Sequence, residues 1–419
     1  MQARQFTSMF QTHGLDWPTT HVMPRSTQGA TEPIALHAPA SRLKIALIVD
    51  RFGTHFGGAE AYAVHLARDL AARHDITIIA RTYDSELDLP FIKVAVNERL
   101  PSWMRLLCFV RAARRIVKHH AFDIVHSHAN SGVGDIQVVH VTPVRAKKGL
   151  SRPVIRTLKM WTSPRLATYL LLEKARMRRV PGRRVVAVSR RIDCDLNQSY
   201  AGLATTIIGP GVRHTGCERD NERRAATRRH LGCGENHVVC LLVARNPLRK
   251  GLRVLLNVVE VLPAHYRLVV VGADQAAQQA LEQHPDLAGR VRLIGPTHSL
   301  DKFYEAADIY VHPTLDDAFG MAPLEAMAHG LPVVISAPRH CGLAEHLTDG
   351  ENALLLNDPH DACEIAQALA RLAEDSLIRA RLCAGGLAVA RAHSWQNTAH
   401  RFECLYRESL DEKQRQDLG

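Results

Sequence analysis

Between Val311 and Gly330 the sequence reads VHPTLDDAFGMAPLEAMAHG. It closes an apolar run of strand type, crosses a short polar loop holding Asp316, Asp317 and Gly320, and turns helical from Met321 to Met327. A helix begun in this way leaves its first backbone N–H groups unpaired and its positive dipole end exposed, so the amides around Gly320, Met321 and Ala322 suit a phosphate. Two acids flank that start, Asp317 before it and Glu325 inside it, with seven residues between them. Beside a phosphate a carboxylate repels the ligand unless it faces hydroxyls, from which it accepts hydrogen bonds. The pair therefore fits a ligand that carries both phosphate and sugar. An ordinary strand, loop and helix with solvated acids accounts for the same residues.

Three further stretches carry candidate chemistry. In ARNPLRKG, Arg245 and Lys250 stand five apart, after an apolar strand and before a helix, where two cations can converge on a diphosphate with Arg249 as a third. A solvated charge pair is the alternative. In FGGAE, Gly57 and Gly58 let a backbone approach a ligand closely or simply form a turn, and their spacing does not match G-x-G-x-x-G. After AFDIVHS comes HANSGVGDIQVVHV, which places His126, His128, Asp135 and His140 in or near loops at the carboxyl ends of strands, where open α/β sheets bind ligands. A histidine there also serves structure alone.

Elements that would position these residues repeat twice along the chain. Leu43–Asp50, Ile76–Ala80, Ala121–Ser127 and Val185–Ser189 read as buried parallel strands, with helical periodicity over Ala59–Arg73 and Trp103–His120. Val238–Ala244, Tyr266–Gly272, Val291–Gly295 and Leu331–Ser336 repeat the pattern, with helices over Arg253–Leu262, Ala276–His284 and Asp358–Ala390. Strand, loop, helix, strand is the βαβ unit, so each half is expected to be a doubly wound α/β domain.

Composition narrows the function classes. The 419 residues are 46% hydrophobic, enough for two cores, while 5% aromatics argue against a stacking platform for nucleic acid. A net charge of +11 leaves nucleic acid, anionic lipid or a phosphorylated substrate as partners, and arginines clustered in helical stretches favour the last two. Nine cysteines stand singly without CxxC or metal-ligand spacing, which fits a reducing cytosol. No apolar run approaches the roughly 18 to 20 residues that span a bilayer. Residues 1–41 are polar without sustained periodicity and read as a flexible extension. Ser151–Arg179 is basic with interleaved Trp161, Leu166, Tyr169, Leu170 and Leu171, either a helix with a solvated face or a surface for anionic headgroups.

In wording, the stretch at 311–330 resembles the E-x7-E motif of retaining GT-B glycosyltransferases of family 4, usually close to EGFGxxxLEAMAxG, with Asp317 in place of the first Glu and Ala318 in place of a Gly. FGGAE is similar to that family's first loop, RNPLRKG to its R-x4-K-G, and TTIIGPGV to its linker strand. FYEAADIYVHP is similar to the run before the acid motif, with Asp308 as a structural cap, and HSWQNTAHRFECLY resembles its closing helix. The resemblance spans Leu43 to Tyr406. It implies an α/β GT-B fold of two Rossmann-like doubly wound domains facing across a cleft: acceptor-binding over 42–205, nucleotide-sugar-binding over 206–393, and a helix over 394–419 returning to the first domain.

The same resemblance implies roles. Arg245, Lys250 and the amides near Gly320, Met321 and Ala322 would hold the departing diphosphate, Gly57 and Gly58 would face it, Glu325 would hold the ribose and Asp317 the sugar hydroxyls. Asp135 in GVGD resembles the acid near the reacting carbon in lipopolysaccharide-core glucosyltransferases, with His128 as the alternative. Retention of the donor's configuration is expected, without cofactor or metal, since no DxD-like loop is present. The expected substrates are a UDP-sugar and a lipid-linked or phosphorylated glycan such as lipopolysaccharide core, met by a cytoplasmic enzyme in peripheral contact with an anionic membrane. The alternatives are a sucrose- or glycogen-synthase type with a soluble acceptor and, from charge alone, a nucleic-acid-binding protein; no nucleic acid is the expectation.

Overall fold

Leu43–Asp50 becomes strand β1 (Lys44–Ile48), in which Ile45 through Ile48 are fully buried, as an unbroken apolar strand must be when helices cover both faces of its sheet. The computed structural model of the protein describes residues 42–147, 159, 161–213, 220–297 and 299–417, so the expected extension over 1–41 and the stretch Ser151–Leu158 lie outside the described residues. After β1 come β2 (Arg51–Phe52), β3 (Asp75–Ala80), β4 (Thr82–Tyr83), β5 (Phe91–Lys93), β6 (Ile124–Ser127), β7 (Ile136–Val139), β8 (Arg184–Ala187) and β9 (Thr205–Ile207). The second half holds β10 (Val238–Val243), β11 (Tyr266–Val271), β12 (Val291–Ile294), β13 (Ile309–His312), β14 (Val333–Ser336) and β15 (Leu354–Leu356). Helices among the described residues are α1 (Gly58–Ala71), α2 (Ser102–His119), α3 (Pro164–Arg176), α4 (Arg190–Ser199), α5 (Asn221–His230), α6 (Leu252–Val261), α7 (Gln275–Glu282), α8 (Asp301–Ala306), α9 (Met321–Ala328), α10 (Ala362–Glu374), α11 (Ser376–Ala392) and α12 (Trp395–Asp417). The helical stretch expected over Asp358–Ala390 is thus broken at Asp375, whose side chain caps α11 by accepting from the Leu377 and Ile378 amides.

Every pairing in the two large sheets is parallel. The first runs β5-β3-β1-β6-β7-β8-β9 and the second β12-β11-β10-β13-β14-β15. In each the chain starts mid-sheet, winds to one edge, then returns to the other side of its first strand. That reversal opens a crevice beyond the carboxyl ends of two neighbouring strands, β1 and β6 in the first sheet, β10 and β13 in the second. The loops that follow these four strands are RFGTHFGG, HANSGVG, ARNPLRKG and PTLDDAFG. The motifs with candidate chemistry therefore stand at the two switch points.

Helix α12 packs against the first sheet's helix α1. Trp395 meets Tyr62 edge-on at 5.1 Å, the Tyr406 hydroxyl shares a hydrogen bond with His126 Nδ1 at 2.7 Å, and Glu403 pairs with Arg73 at 2.6 Å. Burial of Trp395, Phe402 and Tyr406 removes large aromatic surfaces from water, each stabilising by roughly 1.5–3 kcal/mol. Asp308 caps none of the described helices. Its carboxylate accepts from Arg224, from Arg228 at 3.0 Å and from the Val239 amide at 2.8 Å, which ties α5 to β10.

Candidate active site

Chemistry concentrates where β13 ends and α9 begins. Gly320 caps α9 in the left-handed region (φ 106°) with no side chain closing its first amides, so those donors remain open. Before it, Asp317 accepts from Lys250 Nζ at 2.7 Å and from His312 Nε2 at 3.0 Å through the same carboxylate oxygen. Burial alone would raise the Asp317 carboxyl, but the His312 hydrogen bond and the Lys250 ammonium together hold it well below the usual carboxylate range. Burial keeps His312 itself below its ordinary value against the pull of Asp317, so the ring is neutral with its proton on Nε2.

Glu325 has the opposite environment. Burial raises its carboxyl, and its described hydrogen bond comes from the Tyr304 hydroxyl at 2.8 Å. The sequence treats the two acids as a pair, and the structure makes one a firmly ionised group on a lysine, the other a carboxyl held by a phenol. His312, Asp317 and Cys341 also bring ligand atoms within 4.8 Å of one another, a set that could take a divalent cation. Lys250 already answers the Asp317 charge there.

Arg245 approaches from the β10 loop toward the first half. A side chain at Gly57, whose φ of 156° caps α1, would put its Cβ 3.0 Å from Arg245 Nη1 and 2.8 Å from the Glu60 carboxylate. Both atoms end flexible side chains that can shift, so it is the positive φ that favours glycine there. At Gly58 a Cβ would meet nothing within 4 Å, so close backbone approach within the protein does not explain it. Arg249, the third cation, is engaged by the Asp316 carboxylate together with Arg191 from α4.

On the first half's side, His128 follows β6 and its amide bonds the Ile48 carbonyl at the end of β1. It is buried, with Nδ1 at 2.8 Å from His140 Nε2 and its ring stacked on His126. Burial drives all three rings toward the neutral form, His126 and His140 down to about 3. Among the described residues the Nε2 atoms of His126 and His128 have no hydrogen-bond partner.

Asp135 lies elsewhere. It precedes β7 rather than following β6, sits level with Val125, whose amide it accepts at 2.9 Å, and pairs with Lys413 of α12 at 2.8 Å. In a parallel sheet that is the amino-end side, so the structure separates Asp135 from the cleft while it leaves His128 on the cleft side. Sequence reasoning did not single out Ser189, Arg191, His312 or Cys341. For Ser189 a signal existed, since it ends VVAVS as Asp317 follows IYVHP. Ser189 Oγ donates to the Ala318 carbonyl at 2.6 Å, a bond that joins the carboxyl-end side of the first sheet to that of the second.

Two parallel sheets meeting at their switch points, with a cationic loop against an open helix start, define a glycosyltransferase of GT-B type. Among solved structures the chain is similar to WaaG, a glycosyltransferase involved in lipopolysaccharide biosynthesis, with a TM-score of 0.71 at 19% identity over 85% of this chain and 98% of that one. It is similar also to Anabaena Alr3699/HepE in complex with UDP and glucose, at 0.68 and 19% identity over 86% and 98%. The family model described as Glycosyltransferase Family 4 matches residues 56–215 and that described as Glycosyl transferases group 1 matches residues 237–375. The chain belongs to this family of glycosyltransferases. The D-inositol 3-phosphate glycosyltransferase of Corynebacterium diphtheriae is 28% identical over 397 residues, 84% of this chain and 89% of that relative. The protein of that name from a Nocardioides species is 35% identical over 228 residues, 49% of each.

Proposed function

We propose that the protein moves a hexose from a UDP-sugar to a hydroxyl of a phosphate-bearing acceptor, with retention at the anomeric carbon and without a metal. The observation that carries this reading is Lys250, whose ammonium lies 2.7 Å from Asp317 and 3.1 Å from the Asp316 carbonyl at the open start of α9. Departure of a diphosphate develops charge that Lys250, Arg245 and those amides are placed to meet, a fixed electrostatic contribution needing no reorganisation. Asp317, ionised, accepts from donor-sugar hydroxyls, and Glu325 accepts from the ribose. The departing phosphate takes the acceptor's proton.

UDP as nucleotide draws support from the similar Anabaena protein with UDP and glucose. A soluble phosphorylated polyol as acceptor draws support from the relatives named for D-inositol 3-phosphate and from the net charge of +11. One observation favours a second reading, a lipid-linked surface glycan such as lipopolysaccharide core. Leu171 is 60% exposed with Lys174 one turn on along α3, and Trp161, just before that helix, is 85% exposed, apolar and cationic groups fit to rest on anionic headgroups. No helix among the described residues is long and apolar enough to cross a membrane.

Transfer from UDP-glucose, UDP-galactose, UDP-GlcNAc and GDP-mannose is to be assayed against D-inositol 3-phosphate in solution and against lipopolysaccharide-bearing membrane extracts, each with and without EDTA. Product from a UDP-sugar and the soluble phosphate, undiminished by EDTA, is expected. Product on membranes alone would move the assignment to the second reading, and absence of both turnover and nucleotide binding would remove both.

A further inference from the structure

Four successive carbonyls of the acid loop are tied down, and by groups from both halves. That of Asp316 accepts from Lys250 Nζ at 3.1 Å, and that of Asp317 from Arg191 Nη1 at 3.0 Å and the Gly342 amide at 3.2 Å. Ala318 accepts from Ser189 Oγ at 2.6 Å, and Phe319 from the Leu343 amide at 2.6 Å and Cys341 Sγ at 3.1 Å. Ser189 and Arg191 stand at the start of α4, in the first half. The amides at the far side of the last three peptides, those of Ala318, Phe319 and Gly320, enter no described hydrogen bond. A trans peptide points its C=O and N–H in opposite directions. Drawing each carbonyl one way therefore presents each N–H the other, and such successive amides running into a helix start form an anion-binding concavity.

We infer that Ser189 and Arg191 are positioning residues for the donor. They orient the Ala318 and Phe319 amides from across the cleft, so the donor site carried by the second half is complete only while the first half is docked on it. This rests on the donor reading above. Gly342 is part of the device: a side chain there would bring its Cβ 2.4 Å from the Ala318 oxygen and 2.7 Å from Ser189 Cβ. The contact is also reciprocal, because Glu345 of the second half accepts from the Arg190 and Arg191 amides, at 3.1 and 2.8 Å, and closes the start of α4. Asp317's carbonyl keeps the Gly342 amide when Arg191 is lost, whereas the Ala318 carbonyl has Ser189 as its sole partner among the described residues. Ser189 therefore carries more of the effect than Arg191.

Ser189 has a second duty, since its Oγ accepts from the Ile192 amide at 3.3 Å as the cap of α4. The two duties separate by substitution. Ser189→Ala removes both, whereas Ser189→Asp keeps an acceptor for α4 and has no hydrogen to give Ala318. Calorimetry with UDP-glucose and steady-state kinetics with the same donor are to be run on these variants and on Arg191→Ala and Arg191→Lys. Both Ser189 variants are expected to raise donor Kd and KM by about tenfold, with kcat within about threefold of the parent. Arg191→Ala is expected to do so to a smaller extent, partly restored in Arg191→Lys. Parental KM in Ser189→Asp would confine Ser189 to capping and overturn the inference, as would a fall in kcat at unchanged KM. An unsubstituted protein that binds neither UDP nor any of UDP-glucose, UDP-galactose and UDP-GlcNAc would instead overturn the donor reading on which it stands.

Discussion

Both sides of the cleft bury histidine at the carboxyl end of a strand, with opposite company. In the second half His312 is neutral and donates to Asp317, which Lys250 also holds, so a carboxylate and an ammonium persist at a site little exposed to water. In the first half His126, His128 and His140 stack among Tyr62, Phe402 and Tyr406, and among the described residues no carboxylate contacts their rings. Burial neutralises histidine in both places. Charge survives where a counter-charge and hydrogen bonds meet it, and that is the side where a diphosphate would need stabilising. The other side offers neutral nitrogen, suited to orienting a hydroxyl without attracting the donor's phosphates.

The sharpest way to break this contrast is Lys250→Ala. It removes the cation and leaves Asp317 with His312 alone, and kcat/KM for the donor is expected to fall roughly 10²- to 10³-fold, read by initial rates. Arg245→Ala, at an exposed position, is expected to cost about tenfold. The reverse ranking would place the decisive charge on the Gly57 side.

A smaller effect sharpens the first half's part. His126 and His140 titrate near 3 when folded against an ordinary value of about 6.5, so between these limits the unfolded chain binds more protons. Stability therefore rises with pH across that window and is lost progressively as pH falls below about 6.5. The depressed Asp317 carboxyl contributes stability that is present above its ordinary value near 3.9 and is lost only as pH falls below that. Urea midpoints at pH 7.5 and pH 5 should show the drop, to which His65 and His312, also lowered by burial, add their share; an unchanged midpoint would mean these rings are hydrated. The smallest effect belongs to Asp135→Asn, expected to leave kcat/KM within about twofold and to cost no more than ~1 kcal/mol through its partly exposed bond to Lys413. A tenfold loss of rate would return Asp135 to the reaction.

Much of the fold was legible because its signals are local. Unbroken apolar runs such as IALIV and VVCLLV have few other places to go than a buried parallel sheet, and loops that end them reach the ligand side by geometry. Asp135 shows where this fails. The run IQVV, interrupted by Gln137, does not read as a buried strand, yet Gln137 satisfies its amide nitrogen on the Val133 and Gly134 carbonyls and is fully buried in β7. With β7 unrecognised, nothing shows that Asp135 precedes a strand and so belongs to the opposite end of the sheet.

Two wound sheets, the order of their loops and the residue types those loops carry can be read along the chain, because strand burial and helix starts follow from patterns a few residues long. Tertiary structure alone decided that Asp317 rather than Glu325 shares Lys250, that Arg245 reaches Gly57, and that Ser189 and Arg191 hold the carbonyls of a loop more than a hundred residues away. Those outcomes depend on which side chains come within about 3 Å of one another after the halves dock, and spacing along the chain contains no measure of that distance.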